Sequence, residues 1–209
     1  MGLHFSKRIH PILAKSSEAS SGRVRIIGGQ WKKSVLRFPA ADDLRPTPDR
    51  VRETLFNWLG QDLHGLVCLD LYAGSGALGF EAASRGAARV VLVEREPAAA
   101  RSLRENATRL SASTLEIVPS DAIAYLSAAK ERFDVVFLDP PFRQNVLPEV
   151  LGRLPRVLKG GARIYVESPA SVGVSGVQGW RELKRSRAGQ VSFQLLEWSD
   201  DRSGIPRDV

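Results

Sequence analysis

The residues with the most chemistry to offer are Asp139-Pro140-Pro141-Phe142. They follow Phe133-Asp134-Val135-Val136-Phe137-Leu138, which reads as a buried strand. The loop therefore leaves the C-terminal end of a strand, the edge where open α/β sheets bind ligands. Two prolines fix two φ angles and remove two N–H donors, which leaves a stiff turn. The Asp139 carboxylate and the Pro140 carbonyl are then two acceptors facing one place. An exocyclic amine of guanine, adenine or cytosine has two N–H donors and a lone pair delocalised into its ring. Holding both hydrogens pulls the nitrogen toward tetrahedral geometry and aims the lone pair at an electrophile, so catalysis is mainly orientation and local electrostatics. Phe142 can stack on the ring, and Asp139 can take the proton that the amine gives up. Pro141 and Arg143 are assigned to the substrate side of the same loop. A base must be unpaired or flipped to reach it.

A second constellation lies upstream. Leu66-Val67-Cys68-Leu69-Asp70-Leu71 is a short apolar run that ends at an acid, followed by Tyr72-Ala73-Gly74-Ser75-Gly76-Ala77-Leu78-Gly79. Three glycines at this spacing permit a tight turn into a helix, where backbone meets a ligand closely and free N–H groups are on offer. Asp70, Ala73, Gly74 and Gly76 are the candidate binding residues. The pattern also fits a nicotinamide or flavin site. A second apolar run, Arg89 to Val93, ends at Glu94, which in either class accepts hydrogen bonds from a ribose diol. After a third run, Thr114 to Val118, Asp121 can accept from an adenine amine while the Ala122 N–H reads a ring nitrogen. Read alone, Asp121 is the cap of the helix that it begins; as the third acid after a third strand, it is assigned to the cofactor. The residues leave the cofactor open.

These sites need elements to hold them. Pro97 to Leu110 reads as a helix, as does a segment from Asp121 to about Lys130. Val146 to Leu158 is a further helix that Pro155 kinks or ends. Lys159-Gly160-Gly161 reads as a stop before a strand over Ala162 to Glu167. Trp180 to Ser186 and Gln190 to Trp198 form a hairpin around Ala188-Gly189. Near the N-terminus, Arg23 to Ile27 and Ser34 to Phe38 read as strands with a turn at Gly28-Gly29. Arg25, Trp31, Lys32 and Lys33 give that hairpin charge and an aromatic, which suits looped RNA; Trp31 serves equally as a packing residue. A helix then begins at Thr47, a candidate N-cap, with Pro48 at its first position. Val51, Leu55, Phe56 and Leu59 form its apolar face, leaving Arg45, Arg50 and Arg52 on the turn or the polar side, either solvated on a capping helix or presented to substrate phosphates by a helix that covers the cofactor.

The chain has 209 residues, 30 Lys and Arg against 23 Asp and Glu, and a net charge of +7. Residues 1–60 hold 11 basic against 5 acidic side chains, whereas residues 61–175 hold 13 of each. A basic segment beside a neutral domain fits a polyanion-binding arm next to a chemical core. Four segments are expected: a basic, disordered tail over 1–22, a hairpin and helix over 23–60, a catalytic domain over 61–200 and a loose tail over 201–209. No apolar run is long enough for a membrane span, so no membrane partner is expected. One cysteine, Cys68, forbids an internal disulfide and fits the cytoplasm. It lies inside a buried run, which argues against a cysteine-dependent 5-methylcytosine mechanism. Scattered histidines make no metal cluster, and no metal is expected.

The glycine loop, Glu94, Asp121 and Asp139-Pro140-Pro141-Phe142 together resemble the motif series of class I S-adenosylmethionine-dependent amino-methyltransferases. Arg25-Ile26-Ile27-Gly28-Gly29-Gln30-Trp31, Arg45-Pro46-Thr47 and Asp49 to Leu59 more closely resemble the bacterial 16S rRNA guanine-N2 methyltransferases of the D type, over roughly Arg23 to Trp198. The resemblance implies a Rossmann-like α/β fold: a seven-stranded, mostly parallel sheet with an antiparallel C-terminal hairpin, plus the N-terminal hairpin and helix. It implies S-adenosylmethionine as cofactor, and as substrate the N2 amine of one guanine in 16S rRNA within the small ribosomal subunit. A monomer is expected. The long tail before Arg23 and Pro48 at the helix start depart from the pattern. A DNA or RNA adenine or cytosine amino-methyltransferase is the alternative, since the chemical loop suits all three amines. A nicotinamide oxidoreductase leaves the Asp-Pro-Pro-Phe loop without a role.

Overall fold

Short apolar runs alternating with amphipathic stretches build a sheet covered by helices. A computed structural model describes residues 21–39, 47–141, 146–169 and 179–199. The elements run β1 (Ser21–Arg25), β2 (Val35–Pro39), α1 (Asp49–Leu59), β3 (Val67–Asp70), α2 (Ala77–Ser84), β4 (Arg89–Val93), α3 (Pro97–Arg109), β5 (Leu115–Val118) and α4 (Ala122–Ala128). They continue with β6 (Phe133–Leu138), α5 (Leu147–Arg153), a 3-10 turn (Leu154–Val157), β7 (Leu158–Pro169), β8 (Trp180–Ala188) and β9 (Val191–Trp198). The large sheet has the order β5-β4-β3-β6-β7-β9-β8. Its first five strands pair in parallel, and β9 runs antiparallel to both β7 and β8. This is the expected seven-stranded architecture.

The central strands are apolar because both faces are covered. Cys68, Val90, Leu92, Val135 and Phe137 pack on one side with α1 and α2. Leu69, Val91, Val136 and Leu138 pack on the other with α4 and α5. Burial pushes the Cys68 thiol up to about 12, with the charges of Asp134 and Asp70 adding, so it stays a neutral core residue. The N-terminal hairpin shares the first of these cores through Val24, Ile26, Leu36 and Phe38. It is not a free arm: Asn106 of α3 bonds both backbone groups of Arg37, at 3.2 and 2.7 Å.

Two strand expectations are corrected. β1 ends at Arg25, and its hairpin turn spans residues 26–34, with Lys33 itself at φ 74. Gly160-Gly161 does not stop the chain before β7. The strand begins at Leu158, and its register jumps from Phe133↔Leu158 to Val135↔Arg163, so the glycines form a bulge inside it. Pro155 does end α5, by turning its last residues into a 3-10 turn. Of the disordered tail expected over 1–22, Ser21 and Gly22 instead begin β1, paired with Pro39 and Phe38 of β2; residues 1–20 and the tail expected over 201–209 lie outside the described residues.

Candidate active site

The strand order sets the place. From β3 the chain steps outward through β4 and β5, then returns to lay β6 and β7 on the other side of β3. The crevice at the carboxyl ends of β3 and β6 is therefore the topological switch point. Asp70 closes β3, Glu94 follows β4, and Asp139 follows β6, so three acids ring one edge.

Two of these acids shape the glycine loop. Asp70 Oδ2 accepts the Gly79 N–H at 2.9 Å. Burial raises its carboxyl to about 7, and the Glu94 charge adds to this against the Gly79 and Tyr72 N–H groups. Glu94 Oε2 accepts the Gly74 N–H at 2.7 Å, and Oε1 accepts the Glu96 N–H at 2.8 Å. Ala73 is tied to β4 through its N–H to the Val93 carbonyl at 3.0 Å. Gly76 caps α2 at φ 78, and a Cβ there would sit 2.6 Å from Leu103 Cδ2 and 2.7 Å from Phe80 Cδ2. Only glycine meets both demands. Asp121 is exposed and caps α4, its Oδ1 accepting from Ile123 and Ala124 N–H at 2.9 and 3.2 Å. None of the described bonds uses Oδ2. Ala122 is buried behind it.

The chemical loop leaves β6 as expected, with Asp139 half-buried, Pro140 buried and Pro141 exposed. Phe142, Arg143 and Arg45 lie outside the described residues. Asp139 has company that the sequence reading missed. The β6–β7 register pairs Phe137 with Tyr165 and Leu138 with Val166, so Asp139 is followed across the sheet by Glu167. Tyr165 donates its hydroxyl to Glu167 Oε1 at 2.8 Å. The Thr47 hydroxyl donates to Asp139 Oδ2 at 3.4 Å. Burial, then the charges of Glu167 and Asp70, push the Asp139 carboxyl well up, with Thr47 opposing. Burial likewise raises Glu167 against the Tyr165 and Thr47 hydroxyls. The available signal was simple: Glu167 closes an apolar run, as Asp70 and Glu94 do. Thr47 is a further correction. It is not the side-chain cap of α1, whose flanking residue is Pro48 with no side-chain cap bond.

The basic residues divide. Lys32, Lys33 and Arg50 are exposed. Arg25 is exposed too, and its Nη2 reaches Asp49 Oδ2 at 2.9 Å. Trp31 is half-buried and packs on the core, so it is not an open stacking platform. Arg52 is fully buried, against its expected place on the polar side of α1. It bonds Asp49 at 2.6 Å and Glu81 at 3.3 Å, and donates to the carbonyls of Thr47 and Arg25 at 3.1 and 2.8 Å. Its guanidinium is consumed by the fold and is not available to a substrate phosphate.

A seven-stranded sheet in this order, a glycine loop after its central strand and an acid at the end of the neighbouring strand define the class I methyltransferase fold. Residues 24–197 match the family model described as "Conserved hypothetical protein 95". The chain is 43% identical over 188 residues to the ribosomal RNA small subunit methyltransferase D of Escherichia coli K12, covering 88% of this chain and 95% of that protein. It belongs to the ribosomal RNA small subunit methyltransferase D family. Among solved structures, a putative methyltransferase from E. coli superposes with a TM-score of 0.76 at 42% identity, covering 85% of this chain and 99% of that one. A Thermus thermophilus 16S rRNA N2 G1207 methyltransferase, solved with AdoMet and guanosine, shares the fold at 22% identity and a TM-score of 0.66, covering 86% of this chain and 50% of that one.

Proposed function

We propose that this protein transfers a methyl group from S-adenosylmethionine to the exocyclic N2 amine of one guanine in 16S rRNA, within the small ribosomal subunit. The observation that carries the reading is the position of Asp139 and Pro140. They leave β6 at the switch point, across from the glycine loop and its two acids. Family membership supports a small-subunit RNA substrate. Lys32, Lys33 and Arg50, exposed on the N-terminal elements, supply the charge for an RNA backbone.

The residues fit the cofactor. Gly76 leaves open a turn that any Cβ would crowd, the loop backbone can pass close to a ligand, and Glu94 keeps lone pairs for a ribose diol. In this reading Asp121 Oδ2 and the Ala122 N–H take the adenine ring. S-adenosylmethionine, when bound, supplies an electrophilic methyl on a positively charged sulfur. Asp139 and the Pro140 carbonyl hold the two amine hydrogens and aim the lone pair. Asp139 then takes the proton.

The test is to incubate the protein with methyl-labelled S-adenosylmethionine and, separately, unmodified small subunits, protein-free 16S RNA and duplex DNA. Labelled N2-methylguanosine from subunits is the expected result, and Asp139→Ala abolishes it while cofactor binding persists. Label in DNA, or as methyladenine or methylcytosine, overturns the acceptor assignment.

A further inference from the structure

Glu167 is 5% exposed, it lies next to the reacting carboxylate, and the chemistry above gives it no task. It shares the α1 side of the sheet with Asp139, since their strand neighbours Tyr165 and Phe137 both pack there. Among the described residues no ion pair reaches Asp139, Glu167 or Asp70. Two neighbouring carboxylates with no cation paired to them among the described residues repel each other, and retaining one proton relieves this. Thr47 points the same way. A threonine hydroxyl has one hydrogen, so it cannot donate to both acids. Its contacts with both are satisfied together when one acid carries a proton and donates it to Oγ1.

We propose that Glu167 is a positioning residue for Asp139: the two share one proton, and Glu167 takes it when the amine docks. This rests on the methyl-transfer reading above. Tyr165 donates its hydroxyl to Glu167 alone, which favours the ionised form of Glu167 and leaves the resting proton on Asp139. Burial and the charges of Glu167 and Asp70 raise the Asp139 carboxyl in the same sense. Among the described residues, the groups facing the pair are Asp70 at the end of β3, Tyr165 on β7 and Thr47 ahead of α1. As the amine arrives, the shared proton moves to Glu167, and ionised Asp139 accepts an amine hydrogen. The nitrogen then forms a bond to the methyl carbon as the carbon–sulfur bond breaks, its electron pair staying on sulfur. The proton released by the nitrogen goes to Asp139. Both acids are then protonated, and one proton leaves to water with the product.

The sharing is tested without substrate by carboxyl carbon-13 NMR at neutral pH. Wild type is expected to show one protonated carboxyl beyond that of Asp70, and Glu167→Gln and Asp139→Asn are each expected to lack it. A wild type without that signal, or its survival in Glu167→Gln, overturns the proposal. Should Glu167→Gln not fold, Tyr165→Phe keeps both acids and is expected to move the signal from the aspartate to the glutamate region; no movement overturns it. In turnover with small subunits, Glu167→Gln is expected to slow kcat about 10–100-fold while the cofactor KM stays within about twofold. An unchanged kcat removes the assigned role. A wild type that shows the shared proton but methylates no guanine would refute the proposed function alone.

Discussion

Replacing Arg52 with methionine tests the reassignment of this arginine from substrate contact to buried support. Arg52→Met keeps much of the side-chain bulk and removes the guanidinium. Four acceptors lose a donor: the Glu81 and Asp49 carboxylates and the Thr47 and Arg25 carbonyls. Glu81, itself fully buried, keeps Arg85 at 2.9 Å and the Ile27 N–H at 2.8 Å. Breaking a buried pair from one side costs about 3–5 kcal/mol. The remaining Arg85 contact places the loss near the lower end, about 3 kcal/mol, roughly a hundredfold in the folding equilibrium. For a domain of this size that corresponds to a melting temperature lower by about 6–12 °C. Urea unfolding followed by circular dichroism reads the change as a lower midpoint with unchanged slope. Arg50→Met, two residues away and exposed, should stay within about 0.5 kcal/mol of wild type. The reasoning is refuted if Arg52→Met loses less than about 1 kcal/mol, or if it lowers the salt dependence of RNA binding as a phosphate contact would.

Gly76→Ala should reduce stability by at least about 1 kcal/mol, because the left-handed φ and the contacts with Leu103 and Phe80 both oppose a Cβ; thermal melting checks this, and calorimetry should show weakened S-adenosylmethionine binding. Stability should fall as pH rises from about 4 through 7, because Asp70 holds its proton to about 7 in the fold but loses it in the ordinary carboxylate range when unfolded. The native state binds the extra proton in that window, so Asp70→Asn should flatten a plot of urea midpoint against pH, and an unchanged slope would count against it. Lys32→Glu with Lys33→Glu should weaken RNA binding and lower the log–log salt slope by about one per residue, with cofactor affinity kept within about twofold.

Periodicity and punctuation carried most of the fold. β6 matches its expected span, Phe133–Leu138, because five apolar residues broken only by Asp134 and bounded by a proline turn leave little choice. Pro155 and Gly76 mark their breaks through φ alone. The glycines at 160 and 161 misled because a turn and a bulge have the same composition, and the pairing with β6 decides between them. The row of acids was legible because each ends an apolar run. Glu167 was overlooked since its significance depends on which strand lies next to β6. Arg52 was misplaced for a related reason. Helical spacing puts it beside Val51, Leu55 and Phe56, but an arginine on an apolar face reads as solvent-exposed until its partner is known. Glu81 lies 29 positions away on another helix.

The hairpin is fastened to α2 by specific atoms. The Gly28 carbonyl accepts from the Ser84 hydroxyl, the Trp31 N–H donates back to that oxygen, and the Gln30 N–H bonds the Ser84 carbonyl, at 2.6, 2.9 and 2.7 Å. The Ile27 N–H takes Glu81. α2 is also the helix that opens with Gly76 and receives Asp70 at Gly79. The segment proposed to face RNA and the loop proposed to face the cofactor are thus two ends of one short beam. Such a part is a poor unit for recombination. A hairpin grafted from a relative with a different target would need matching partners at positions 81 and 84, so retargeting this scaffold should proceed through changes at exposed side chains such as Lys32 and Lys33, on an unaltered backbone.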